Sequence, residues 1–213
     1  MNALRTHPGT RMVAVVLAAG ESRRMGQSKQ LLPVGGRPLV RLVVQNVLAA
    51  GVGPVVLVLG YQAEAVHNAV AGLPIRVTVN TGYAAGMLSS VQAGVRAALP
   101  LLTEEGRSGF LFCLGDQPAV TPDLYARVAS AFQAATQGIV LPAYEGRRGH
   151  PAAYSRTYAD EILSLSGGFG LRELLHRHPE DVLEVPVTSP AVTQDLDTPA
   201  DYRRLLEDLG AGG

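Results

Sequence analysis

Six short apolar runs, each bounded by Gly, Pro, Asn or Asp, divide the chain. They are residues 13–18 (VAVVLA), 55–60 (VVLVLG), 75–80 (IRVTVN), 110–115 (FLFCLG), 138–143 (GIVLPA) and 181–187 (DVLEVPV). All six read as strands, and the first, second and fourth are apolar at nearly every position, as strands covered on both faces are. Between them the apolar spacing becomes helical. Residues 37–51 have Pro38 near the start and Gly51 past the end. Residues 88–99 form a second helix, with Ser89 as a possible cap. Residues 121–135 start on Thr121 as N-cap with Pro122 in the first turn, and 198–210 repeat that start at Thr198 and Pro199. Alternating strands and helices predict an α/β fold: a single-domain, Rossmann-like, three-layer α/β/α sandwich with a mostly parallel sheet. The expected domain covers residues 12–209, after a flexible polar extension over 1–11.

Composition narrows the function. Apolar residues are 47% and charged residues 17% of 213, which suits one globular domain with a substantial core. The formal net charge of +0 argues against a nucleic-acid or membrane-surface partner. No apolar run approaches the ~20 residues that span a bilayer. The start lacks a hydrophobic signal segment, so the expected compartment is the cytoplasm. The single cysteine, Cys113, cannot form an internal disulfide and reads as an inert strand residue.

Ligands of such sheets bind beyond the carboxyl ends of strands. Chemistry is therefore expected in loops 18–36, 80–90, 115–121 and 144–151. The first holds LAAGESRRMGQSK, and Lys29 is the only lysine of the chain among 18 Lys and Arg residues. The spacing is neither a Walker A loop nor G-x-G-x-x-G. Yet small Ala18, Ala19 and Gly20 leave backbone N–H groups open to an anion, while Ser22, Arg23, Arg24 and Lys29 add a hydroxyl and positive charge. Together they point to a phosphate site. A triphosphate needs a divalent cation, held by one or two carboxylates. Asp116 closes the fourth strand in GDQP, although those residues alone also suit a turn before Pro118. In QDLDTPADY, Asp195 and Asp197 flank Leu196 and would share a face of an extended chain. Asp201 falls in the first turn of the last helix and would stabilise its end.

The stretch VVLAAGESRRMGQSKQLLPVGGRPLV resembles the N-terminal signature of nucleotidyltransferases, and most closely that of the molybdenum cofactor cytidylyltransferases. The resemblance runs from about residue 12 to 209 with its motifs in order. It implies that Leu17, Ala18, Ala19 and Gly20 lie against the nucleotide, that Ser22 and Arg24 hold the triphosphate, and that Lys29 contacts phosphate oxygens. It implies Asp116 and Asp197 as ligands of Mg²⁺, with Asp195 as a neighbouring candidate. Asn80, Gly82, Gly86 and Ser90 in NTGYAAGMLSSVQAG would sit beside the base. Ala19, where the related guanylyltransferases carry Gly, favours CTP over GTP.

The segment YEGRRGHPAAYS is similar to the G-R-x-G-H-P of the molybdopterin-directed branch. It implies an acceptor side built from Arg148, Gly149, His150 and Pro151, with Arg172 further along. One departure stands out: Gly168 occupies a position where that branch carries Asp, which leaves the acceptor open. The implied activity is CMP transfer from CTP to the phosphate of molybdenum-molybdopterin, with a molybdoenzyme or its maturation factor as a possible partner. Two alternatives stay open. One is a relative acting on another small phosphate or, with other chemistry, on a heteroaromatic compound. The other is a non-catalytic nucleotide-binding module that delivers the cofactor.

Overall fold

The computed structural model describes residues 10–167 and 170–210. In chain order the elements are β1 (Met12–Ala18), β2 (Pro33–Val34), β3 (Arg37–Pro38), α1 (Leu39–Ala49), β4 (Val55–Leu59), α2 (Ala63–Ala69), β5 (Arg76–Val79) and α3 (Met87–Ala98). There follow β6 (Gly109–Leu114), α4 (Pro122–Ala134), β7 (Ile139–Tyr144), β8 (Arg147–Arg148), β9 (Ala152–Ser155), α5 (Ala159–Ser164), α6 (Arg172–Arg177), β10 (Val182–Pro186) and α7 (Pro199–Gly210). All six strands read from the apolar runs are present, with ends shifted by a residue or two.

The main sheet has the order β10-β7-β9-β6-β1-β4-β5, with β8 paired to β7. The β10–β7, β6–β1, β1–β4 and β4–β5 pairs are parallel. Only β9 and the short β8 run antiparallel to their neighbours. β9 was not legible as a strand, because its four residues follow directly on Pro151. The continuous apolarity of β1 now has its cause. Met12, Ala14, Val16 and Ala18 enter a core beneath α1 and α4, while Val13 and Val15 enter the opposite core beneath α3 and α5. Side chains alternate across the pleat, and both faces are dry.

Several local expectations change. Thr121 precedes α4, but its side chain makes no capping bond. Ser89 lies inside α3, which begins two residues earlier after Gly86, and its hydroxyl faces the Gly86 and Gly82 carbonyls at 2.8 and 3.1 Å. Gly86 has φ +106°, a conformation that side chains rarely adopt, so the helix starts on a glycine rather than a serine cap. Thr10 and Arg11, expected in the loose extension, are tied in: the Thr10 carbonyl accepts from Thr103 N–H and the Arg11 carbonyl from Gly109 N–H, both at 2.9 Å. The rest of that extension lies outside the described residues. At α7, the Thr198 and Asp201 side chains cap reciprocally. The Thr198 hydroxyl, with the Thr198 and Asp197 N–H groups, donates to Asp201 Oδ2 and holds that carboxyl below the usual carboxylate range. Among the described residues no helix is long and apolar enough to cross a membrane.

Candidate active site

The parallel register of β1 and β6 pairs Leu17 with Leu114, and the Gly115 N–H donates to the Leu17 carbonyl at 2.9 Å. The loops that follow these two central strands must therefore lie side by side. That adjacency brings Lys29 onto Asp116, 87 residues away. The Lys29 ammonium donates to Asp116 Oδ2 and, at 3.1 Å, to Asp197 Oδ1. Arg24 reaches Asp197 Oδ2 at 2.8 Å. The side chain of Lys29 is 12% exposed and that of Arg24 73%. The lysine pair is thus the electrostatically strong one, and the arginine pair is largely screened by water. Arg23 turns away and pairs with Glu21.

Burial alone would push the Lys29 ammonium towards neutrality, but Asp116 and Asp197 outweigh it and raise its pKa above the ordinary lysine value. Asp116 is raised by burial, pulled back by Lys29, and pushed up again by Asp195 and Asp197. Three carboxylates against one ammonium and one exposed guanidinium leave the cluster short of positive charge. Two of the carboxylates already converge on a single cationic nitrogen. This donor set fits a divalent cation that takes its remaining ligands from phosphate and water. Among the described residues no group of three or more His, Cys, Asp or Glu could hold a metal by itself. Asp195, expected as a possible third ligand, does not join the pair at Lys29; it accepts from Gln117 Nε2 at 2.8 Å.

A cavity of about 260 Å³ opens beside this cluster, lined among others by Leu17, Ala19, Gly20, Lys29, Ser90 and Asp116. Ala18, expected there, is instead buried, with its Cβ packed under Gly115. Ser22 stays within its own loop: its Oγ accepts from Lys29 N–H at 3.2 Å and donates to Gln30 Oε1 at 3.3 Å. Asn80 is buried and its amide is consumed locally, donating to Ser89 and Ser90 Oγ at 2.8 and 3.0 Å and accepting from Gly82 N–H at 3.0 Å. Asn80 and Gly82 therefore shape the wall, while Gly86 and Ser90 line it. Three lining residues had no sequence signal. Gln30 reads as solvated but is buried, with its Nε2 on the Gly20 carbonyl at 3.1 Å. Tyr83 packs edge-on against Tyr61, and Met87 is 63% exposed at the cavity mouth.

A second cavity of about 560 Å³ shares Leu17, Gly86, Met87 and Leu114 with the first. It contains Arg148, Gly149, His150, Arg172 and Asp195. The antiparallel β9 explains this: Ala152 pairs with Phe112, so the residues just before β9 emerge at the carboxyl end of β6. Gly149 has no substitute here, because a Cβ would stand 2.1 Å from the Val192 carbonyl oxygen. Pro151 is buried behind the cavity rather than lining it. Gly168 lies outside the described residues. Cys113 is fully buried, and desolvation pushes its thiol well above the usual range.

Desolvation pulls His150 down to about 4 from an ordinary 6.5, with Asp116 opposing and Arg172 assisting the shift. The ring is neutral at pH 7. On acidification the unfolded chain takes up this proton first, so the stability contributed by neutral His150 is complete above about 6.5 and lost as pH falls towards 4. Denaturant unfolding at pH 7 and pH 5 should show a smaller loss of stability in His150→Asn than in the parent. An equal loss in both would mean that His150 does not carry it.

The chain is 32% identical over 207 residues to nicotine blue oxidoreductase of Paenarthrobacter nicotinovorans, covering 92% of this chain and 96% of the other. It is 29% identical over 189 residues to the molybdenum cofactor cytidylyltransferase of Escherichia coli K12, covering 88% and 92%. The crystal structure of Rv0371c from Mycobacterium tuberculosis in complex with manganese superposes with a TM-score of 0.75 at 34% identity, covering 93% of this chain and 99% of that one. The fold is that of the nucleotide-diphospho-sugar transferases. The sequence model of the MobA-like NTP transferase domain matches residues 14–182, more than half the chain, and the protein belongs to that family of nucleotidyltransferases.

Proposed function

We propose that the protein is a cytidylyltransferase that moves CMP from CTP to the terminal phosphate of molybdenum-bearing molybdopterin. The observation that supports this best is the convergence of Lys29, Asp116 and Asp197 beside the smaller cavity, which adjoins the larger one through Leu17, Gly86, Met87 and Leu114. The smaller would take the nucleotide and the larger the acceptor. An acceptor phosphate oxygen attacks the α-phosphorus in line, the bond from that phosphorus to the bridging oxygen breaks, and pyrophosphate leaves. Gly20 and its neighbours accommodate the triphosphate, Arg24 meets its outer oxygens, and Lys29 follows negative charge on the transferring phosphoryl group. Asp116 and Asp197 would hold Mg²⁺, which when bound neutralises phosphate charge and orients the triphosphate. The manganese complex of Rv0371c supports a divalent ion in this family. No covalent nucleophile is needed, since positioning supplies the rate. The buried cysteine suits a reducing cytoplasmic setting.

A second reading has a specific observation behind it. A relative of higher identity and coverage than the cytidylyltransferase is named as an oxidoreductase of nicotine blue, and the larger cavity has apolar walls able to hold a heteroaromatic ring. One experiment separates the two. Purified protein with Mg²⁺ is given each of the four NTPs and molybdopterin, and pyrophosphate is measured. In parallel it is given nicotine blue with a reduced nicotinamide nucleotide, read as loss of the reduced cofactor. Pyrophosphate release with CTP, several-fold faster than with GTP, is the expected result. Equal or faster turnover of GTP would overturn the CTP assignment, and dye reduction without pyrophosphate release would establish the second reading.

A further inference from the structure

We propose that Asp195 recognises the acceptor rather than the metal, and that Gln117 aims it: the carboxylate takes a pair of adjacent N–H donors on the edge of a planar nitrogen heterocycle in the larger cavity. This rests on the acceptor reading above. In D-x-D-T-P the two aspartates look equivalent, and the fold separates them. Leu196 between them is 4% exposed, and its N–H donates to the Asp116 carbonyl at 3.1 Å, which pins the segment across the end of β6. Asp197 then meets Lys29 and Arg24, whereas Asp195 forms no bond with either and lines the larger cavity.

Gln117 is 2% exposed, and its Nε2 donates both to Asp195 Oδ1 and, at 3.3 Å, to the Val192 carbonyl. A buried amide with both donors engaged holds the carboxylate in one orientation. Asp195 Oδ2 has no hydrogen-bond partner among the described residues. A carboxylate only accepts, so what it recognises must donate. Leu17, Met87 and Phe112 offer apolar walls for the faces of a ring, and Arg172 brings positive charge for an anionic group on the same ligand. The ligand class is thus a flat heterocycle with apolar faces, an N–H-donating edge and an anionic tail.

The test uses two pteridines that differ at one position, pterin with a 2-amino group and lumazine with a 2-oxo group, titrated by their fluorescence into the full-length protein. Because a hydrogen bond to a charged group is among the stronger kinds, the parent should prefer pterin by roughly tenfold. Asp195→Asn should erase the preference and Gln117→Leu should reduce it. Mn²⁺ affinity, measured with a non-reacting CTP analogue present, should fall much less in Asp195→Asn, which removes only a nearby charge, than in Asp197→Asn, which removes a ligand. Should Gln117→Leu fail to fold, the exposed Asp195→Asn still decides the matter. No preference in the parent, an undiminished preference in Asp195→Asn, or a loss of Mn²⁺ affinity in that variant as large as in Asp197→Asn would each overturn the assignment. A ring preference that depends on Asp195, found together with no pyrophosphate release from CTP, would sink the transferase reading and leave this one standing.

Discussion

Asp116→Asn is expected to lose at least about 10²-fold in kcat while the protein stays folded. Altering groups that merely support a metal ligand costs 10–100-fold, so replacing a ligand itself should cost no less. A neutral amide keeps the shape but not the charge that offsets a divalent ion. Burial already disfavours the ionised form of Asp116, so neutralising it removes a desolvation penalty, and Lys29 keeps Asp197 as a partner instead of being left an unpaired buried charge. Little net change in stability should follow. Steady-state pyrophosphate release and a thermal melt on the same preparation test both halves. Parent-like turnover at ordinary Mg²⁺ would take Asp116 out of the site.

Lys29→Ala should lose on the order of 10²–10³ in kcat, the cost of deleting one preorganised electrostatic partner in comparable oxyanion sites. Lys29→Arg should recover only part, because a wide planar guanidinium cannot occupy the narrow space between Asp116 and Asp197 that the ammonium fills. If the lysine only attracted the triphosphate, both variants would raise KM and spare kcat. The geometry adds an effect of opposite sign. In the free protein Lys29 neutralises the two carboxylates that a divalent ion would need. Mn²⁺ titrated without nucleotide should therefore bind Lys29→Ala more tightly than the parent, even as turnover collapses. Near-parent kcat in Lys29→Ala would defeat the catalytic role, and unchanged or weaker Mn²⁺ binding would show that the lysine does not compete for those carboxylates.

Strands β1, β4 and β6 were legible because both of their faces are dry and apolar runs are a local property of the chain. Helices α1, α3, α4 and α7 were legible from their period, whereas the short α2, α5 and α6 were not, and a cluster of small and basic residues within thirteen positions marked the first loop as a candidate phosphate site. The resemblance of those residues to a known family carried the nucleotide chemistry further than the spacing could. Three things stayed hidden. β9 is four residues long and begins after a proline, so no pattern marks it, yet it delivers Gly149 and His150 to the cavity. Gln30 and Gln117 look like solvated residues and are buried positioning groups. Asn80 looks like a ligand residue and spends its amide on its own loop.

The sequence by itself determined the layered α/β architecture, the identity of the charged groups and the loops that carry them. Only the tertiary structure decided which of those groups meet. Lys29, Asp116 and Asp197 converge because β1 lies beside β6 in one parallel register, and Asp195 parts from Asp197 because Leu196 is pulled into the core between them. Strand order and register are set by contacts far apart in the chain, whereas period and composition report only on neighbours.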